Sequence, residues 1–544
     1  MNAMSKVADY LRGHITGEVT TRSDVREALE SDLGVLKLKP EIVVYPRTTN
    51  DVRKVVRFSW QLAEKGHILP VTVRGAGTNT TGAALGKGIA MVTTAHMNRV
   101  FEYDPKQHLA RLQPGATITS LSQALSLYGS GVMQLAGSYG YGTVGGAIAD
   151  GVSGLLTGKY GRLDNAIDKL EVVLANGDVI QTGRISKREL SKKKGIEGLE
   201  GDIYRGIERI SEDYGDLFDK LRVDDGTGYN AIADVRQKDG SIDLTPLFVG
   251  SQGTLGVITE MILKTELRTT HYGVAAITYK TYEDARDALD PLCELKPAFI
   301  EYFDARLFDE AAKQGKQYDF YKEATKDGLA AVVVLIGFDD FTERARSKAI
   351  KKAQKIIEKT GGVAVARDGE EATDILSALD VPYYSSLPDR IEAGSPPVFG
   401  DFQVPAEHFE AFSTDLSNLE QTFKMPLPLS GHVYTGVYAI HPNLHLGTVT
   451  DKQKVFKLLD ELSKLVIAHG GTMASGSGEG RLKAHFVYPL LDQKLIEMYK
   501  EIRAVFDPRG TLNAGVKQDT ELRKLVEMLR SSHDAGQLAR FGLR

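Results

Sequence analysis

Gly75, Gly77 and Gly82 stand among Thr78, Asn79, Thr80 and Thr81 in RGAGTNTTGAALGKG (Arg74–Gly88), directly after the apolar run HILPVTV. Glycines and hydroxyls at that density let backbone N–H groups close on an anion. A nucleoside-triphosphate loop follows Gly-x4-Gly with Lys and then Ser or Thr. Gly77 and Gly82 have that spacing, but Ala83 and Ala84 come next, so no lysine reaches a terminal phosphate. A dinucleotide fingerprint opens a helix with Gly-x-Gly-x-x-Gly. Here GKGIAMVTT reads as another strand soon after Gly82, and there is no room for the helix. The stretch reads as an anion loop of neither kind, with a ligand-free turn as the alternative it leaves open.

Two further segments share this texture. GSYGYGTVGGAIADGVSGLLTGKYG (Gly137–Gly161) holds nine glycines in 25 residues against 55 in 544 overall, so the enrichment is local. PLFVGSQGTLGVITEMILKTE (Pro246–Glu266) sets glycine at 250, 253 and 256 before a strand.

The elements around these segments are legible from periodicity. Pro40–Gly66 reads as strand, turn and amphipathic helix, with Asn50 or Asp51 as the cap. KLEVVLANGDVIQTG reads as a hairpin turning at Asn176-Gly177. Ser186–Gly195 is a basic run, expected as a solvated loop or helix end, with a partner or lipid role as the alternative. LAAVVVLIGF (Leu329–Phe338) reads as a buried strand, and SKAIKKAQKIIEKTGG after it as a helix stopped by Gly361-Gly362. The same order recurs at HVYTGVYAIHPNLHL, DKQKVFKLLDELSKLVIAHGG and TMAS. A domain built on a pseudo-repeat is expected there.

The chain is too long for one core at 544 residues. Its formal charge of −5 gives no nucleic-acid footprint. Cys293 is the only cysteine, which excludes disulfides within the chain, iron–sulfur clusters and thiolate zinc sites. The N-terminal MNAMSKVADYLRGHITGEV lacks a sustained apolar stretch, so no signal peptide is expected. The longest apolar run falls far short of the roughly 20 residues of a membrane helix. A cytoplasmic protein is expected, with any membrane contact peripheral.

Together the three glycine segments resemble the PCMH-type FAD-binding domain of the vanillyl-alcohol oxidase family. RGAGTNTTGAAL is similar to its pyrophosphate loop, and the Gly137–Gly161 segment to the part lining the ribityl chain and ring. FVGSQGTLGVIT is close to F-x-G-S-E-G-T-L-G-x-I-T, with Gln252 where glutamate is usual. FDPRGTLNAGVK (Phe506–Lys517) resembles the F-D-P-x-G-x-L-N-P-G-K ending of the glycolate oxidase and D-lactate dehydrogenase branch, and GDFQVP and GRLKA also have counterparts there. The resemblance implies an α+β fold: a two-subdomain FAD domain over 1–268, an α/β cap of ferredoxin-like pseudo-repeats over 269–505, and a C-terminal return over 506–544.

It also implies a set of contacts to FAD. Arg74, Gly75, Gly77, Thr78, Asn79, Thr80 and Gly82 would hold the pyrophosphate. Gly137, Ser138, Gly142, Thr143, Gly145 and Gly146 would lie along the flavin. Gly253 belongs to the third segment, Val257 and Ile258 would adjoin the adenine, and Asn513 would return toward the ring. With Thr78-Asn79 and Tyr139-Gly140-Tyr141 in the loops, non-covalent FAD is expected, His96 being the only histidine nearby in sequence.

On the substrate side the chain departs from the branch, whose G-H-x-x-D-G-N-x-H and G-E-H-G strings bind a divalent metal and supply a base. Gly431-His432 matches the first pair. The second histidine falls on Ala439 without a gap, or on His441 after a two-residue shift, and Gly476-Ser477 stands for Glu-His. No metal is expected. His432 is the candidate base and Glu479 the reserve. Arg390 and Arg481 are candidates to pair with a substrate carboxylate, and Tyr229 is a candidate pocket residue. The expected function is FAD-dependent oxidation of a small hydroxylated compound, a 2-hydroxy acid such as D-lactate or glycolate being favoured. A metal-independent sugar-alcohol or lactone-type enzyme and a flavoprotein without turnover are the alternatives. Electrons would leave to oxygen, a quinone or a redox protein, and a homodimer is compatible with the sequence.

Overall fold

The structure, a computed structural model, describes residues 3–135, 140–222, 224–326, 328–386, 397–444 and 446–531. It divides into two compact units, the first from Met1–Gly154, Arg162–Glu266 and Met473–Arg530, the second chiefly from Leu155–Gly161 and Leu267–Thr472.

In the first unit, Ile42–Tyr45, Ile89–Val92 and Val71–Arg74 run parallel in that order, and Glu18–Thr20 adds an antiparallel edge. Their apolar runs are largely buried on both faces, as parallel strands require. The helix Thr49–Glu64 is capped by Thr48, whose hydroxyl accepts from Asp51 N at 3.2 Å. Neither Asn50 nor Asp51 is the cap, because Asp51 is buried and accepts instead from Thr16 N and Oγ1 and from Arg47 N.

An antiparallel five-stranded sheet follows, ordered Val100–Asp104, Leu109–Leu112, Val257–Lys264, Ile167–Val173, Val179–Gln181. Its last pair is the expected hairpin. The basic run forms the helix Lys187–Lys194 with a Ser186–Glu189 capping box. Lys193 and Lys194 are answered by Glu200 and Glu208 of the same unit.

The return to this unit begins at Met473, well before Phe506. Two contacts draw the earlier residues in: Arg481 N and Leu482 N both donate to Thr81 O, and Arg209 and Tyr214 bond Glu501 of the helix Gln493–Phe506. Beyond that helix Leu512 bridges to Val71 in parallel.

The second unit holds one antiparallel seven-stranded sheet. Gly273–Tyr279, Phe299–Asp304, Val332–Phe338 and Val363–Asp368, with helices Tyr282–Cys293 and Glu343–Lys359, form a first β-α-β-β-α-β copy. Phe402–Gln403, Leu429–His432 and Val437–Ile440, with helices Phe409–Phe423 and Val449–Ala468, form a second, whose fourth strand is reduced to a Gln403–Thr472 bridge. This is the expected pseudo-repeat, and the copies join through their second strands, Phe299–Asp304 beside Leu429–His432. Leu329 is 91 % exposed, so the buried strand of LAAVVVLIGF starts only at Val332. Among the described residues no helix is long and apolar enough to cross a membrane.

Candidate functional site

A cleft open to solvent lies in the first unit. Three segments line it. The loop after Val71–Arg74 contributes Gly75, Gly77, Thr78 and Asn79; the second segment gives Thr143, Gly145 and Gly146; the third gives Gly253, Val257 and Ile258. Gly75 has to be glycine, since a Cβ there would lie 2.1 Å from Thr143 Oγ1 and force the first two segments apart. Gly253 adopts φ +71° and has no protein atom nearer than 3.9 Å to where its Cβ would stand, so a side chain there would enter the cleft.

Four polar side chains fix these walls. Asn79 Oδ1 accepts from Thr81 N and Ala83 N, both at 2.9 Å, while its Nδ2 donates to Asp150 Oδ1 at 3.0 Å. Gln252, buried and left-handed at φ 54°, donates to Asp150 Oδ1 at 3.1 Å and to Ser477 O at 2.8 Å, and accepts from Gly480 N at 3.0 Å. Asn513 donates to Ala83 O and Gln252 O and accepts from Thr72 Oγ1. It clamps the first and third segments together from behind, outside the lining. Thr93, Pro114, Asp150 and Gln252 line the cleft without having been expected from sequence.

Several expected contacts go elsewhere. The Arg74 guanidinium turns away from the cleft and donates to Ser31 O at 2.8 Å, near the buried Asp32. Thr80, Gly82 and Gly142 are outside the lining. The amides of Thr81 and Ala83 are committed to Asn79, which narrows the anion-facing part of the loop to residues before them. Gly137, Ser138 and Arg390 lie outside the described residues. His96 bonds Glu18 at 2.6 Å, and among the described lining residues none is histidine, cysteine or tyrosine.

Glu479 is fully buried in the first unit as the partner of Lys517, 2.7 Å away, with both side chains 0 % exposed. It also accepts from Gly228 N and Tyr488 OH at 2.8 and 2.7 Å, so it is a saturated structural carboxylate. Arg481 donates Nε and Nη2 to Leu85 O. Burial first, and then the charge of Arg503, hold its pKa down at about 10. Tyr229 is buried against Thr254 Oγ1 and over Lys517.

In the second unit, His432 pairs across strands with Glu301, and its Nδ1 lies 2.6 Å from Glu301 Oε1. Glu301 was not expected from sequence; its signal is a carboxylate inside the apolar run AFIEYF. Desolvation opposes protonation of the imidazole, but Glu301 and the nearby Asp401 outweigh it and raise the His432 pKa. Burial also raises that of Glu301, partly offset by His432. His441 follows the second strand of this hairpin, with Nε2 2.8 Å from Ser430 Oγ, and burial lowers its pKa to about 4.

These donors do not fit the divalent metal of the branch. Among the described residues no group of three or more His, Cys, Asp and Glu gathers to hold one. The glycine-walled cleft does fit a flavin nucleotide, which needs backbone approach along its length.

A family model described as "FAD binding domain" matches residues 40–183, and one described as "FAD linked oxidases, C-terminal domain" matches 269–516. The chain is 25 % identical over 515 residues to D-2-hydroxyglutarate dehydrogenase of Escherichia coli, covering 92 % of this chain and 50 % of that protein. The chain thus spans about half the length of that relative. It is 26 % identical to glycolate oxidase subunit GlcD of Bacillus subtilis, with 90 % and 91 % covered. A solved structure of 4-ethylphenol oxidase from Gulosibacter chungangensis shares the fold, with TM-score 0.65, 17 % identity, and 96 % and 98 % covered. With both regions matched in chain order and two of the cleft's three walls inside the first of them, the chain carries an FAD-binding domain followed by the C-terminal domain of FAD-linked oxidases, and its cofactor is FAD.

Proposed function

We propose that the chain oxidises a small 2-hydroxy acid to the corresponding 2-oxo acid. The glycine-walled cleft carries this reading, with support for the substrate class from relatives named for 2-hydroxyglutarate and glycolate. Bound FAD would supply the two-electron acceptor, taking a hydride from the hydroxyl-bearing carbon at N5. Gly75–Asn79, Thr143–Gly146 and Gly253–Ile258 would hold it without a covalent bond. His432 would take the hydroxyl proton at Nε2. Because the base must be neutral and its pKa is raised, reduction should quicken as pH rises through a value above about 6.5. A single cysteine leaves the electrons to an external acceptor: oxygen, a quinone or a redox protein. The missing Glu-His pair favours a second reading, a metal-independent oxidation of sugar-type alcohols.

Anaerobic mixing with 2-hydroxy acids, aldoses and polyols tests both. Protein carrying FAD that acid precipitation releases should bleach with a 2-hydroxy acid. Bleaching by aldoses or polyols alone would favour the second reading. A chain that binds no FAD on reconstitution overturns both.

Gln252→Glu should weaken FAD binding roughly tenfold or more. It would set a second carboxylate beside Asp150 Oδ1 and remove the donor to Ser477 O. Fluorescence titration of the apoprotein with FAD measures this, and an unchanged Kd would mean the amide contributes nothing to the wall.

A further inference from the structure

Glu301 lies on Phe299–Asp304, whose six residues are all buried, and the strand places it directly opposite His432 on the neighbouring strand. Opposed residues of an antiparallel pair point to the same face, so the carboxylate and the imidazole share one side of the sheet. The pair also sits where the second strands of the two pseudo-repeats meet. The two members differ in burial: the Glu301 side chain is 4 % exposed and that of His432 30 %. One end of the dyad is fixed in the sheet and the other opens outward. Desolvating a carboxylate is costly, and both buried carboxylates of this strand are partnered: Asp304 by Arg306 and Tyr282, Glu301 by His432.

We infer that Glu301 is a positioning residue for His432, holding Nδ1–H so that Nε2 carries the lone pair; this rests on the reading of His432 as the base. With Nδ1 tied, only one neutral tautomer is available, and the ring plane is set by the carboxylate. When the substrate O–H breaks, its proton goes to Nε2. With bound FAD as hydride acceptor, the C–H pair would leave with hydrogen as the carbonyl forms, and Glu301 would stabilise the imidazolium until the proton passes to solvent. Among the described residues the charged groups facing His432 are Glu301 from Phe299–Asp304 and Asp401 from the segment entering Phe402–Gln403. His441, on the adjoining stretch, stays neutral.

The test compares E301Q, E301D and H432N, each loaded with FAD, by stopped-flow reduction across pH with the substrate that bleaches the parent. E301Q keeps a hydrogen-bonding side chain and removes the charge. It should slow reduction by roughly tenfold or more and move the pH limb down, because desolvation of the imidazole is then opposed only by Asp401. E301D should retain part of the rate and a limb between those of E301Q and the parent. If E301Q does not fold, E301D alone decides, and a parent rate and limb in E301D overturn the proposal. E301Q with the parent limb and rate, while H432N is slow, overturns the role of Glu301 and leaves His432 as base. H432N at the parent rate overturns the reading beneath it.

Discussion

His432→Ala should slow anaerobic reduction of the bound flavin by roughly a hundredfold or more, about 2.7 kcal/mol of barrier, with FAD content unchanged. Alanine removes the imidazole that the proposed reading makes the proton acceptor. All the described residues lining the flavin cleft belong to the first unit, so cofactor loading should not depend on the imidazole. The comparison belongs on the high-pH plateau of the parent's own rate profile, above its raised imidazole pKa. There the difference measures the base and not its protonation. Reduction at the parent rate would make His432 an ordinary partner of Glu301 and send the search for the proton acceptor elsewhere.

Lys517→Met should lower the stability of the first unit by about 3–5 kcal/mol. Lys517 and Glu479 are both fully buried, and Lys517 Nζ also donates to Gly226 O at 2.8 Å. Removing the cation leaves a desolvated carboxylate facing only neutral donors, Gly228 N and Tyr488 OH. Removing both charges should cost less, so K517M paired with E479L should recover much of the loss. Urea unfolding followed by release of the bound flavin reads both variants. A K517M midpoint equal to the parent's would mean that water reaches the pair. The same pair explains why Glu479 makes a poor base: its oxygens are already held by a lysine, a tyrosine and an amide.

The parts of this molecule written locally were legible. Glycine spacing marked all three walls of the cleft, and Gly431-His432 marked the hairpin that carries the imidazole. What escaped depends on chain segments meeting far from one another in sequence. Nothing near Glu479 announces Lys517, and an arginine at a strand end, such as Arg74, looks alike whether it faces a phosphate or the carbonyl of Ser31. Glu301 left a trace, a charge in an apolar strand, but its partner is 131 positions away. Gln252 shows the same limit: its departure from the usual glutamate was visible, while the reason, Asp150 and Gly480 on either side of its amide, required the fold.

The first unit is interrupted by more than two hundred residues between Glu266 and Met473, and this has a consequence for synthesis. Thr72 and its partner Asn513 are 441 positions apart. At roughly 5–20 residues per second of translation, the ribosome needs between about twenty and ninety seconds to deliver the second after the first. Until then Val71–Arg74 lacks its neighbour Leu512 and Gln252 lacks Gly480. The nascent chain therefore carries an unfinished cofactor wall while the inserted domain is already complete and free to fold. Completion of the cofactor wall must wait for the segment that carries Leu512 and Asn513.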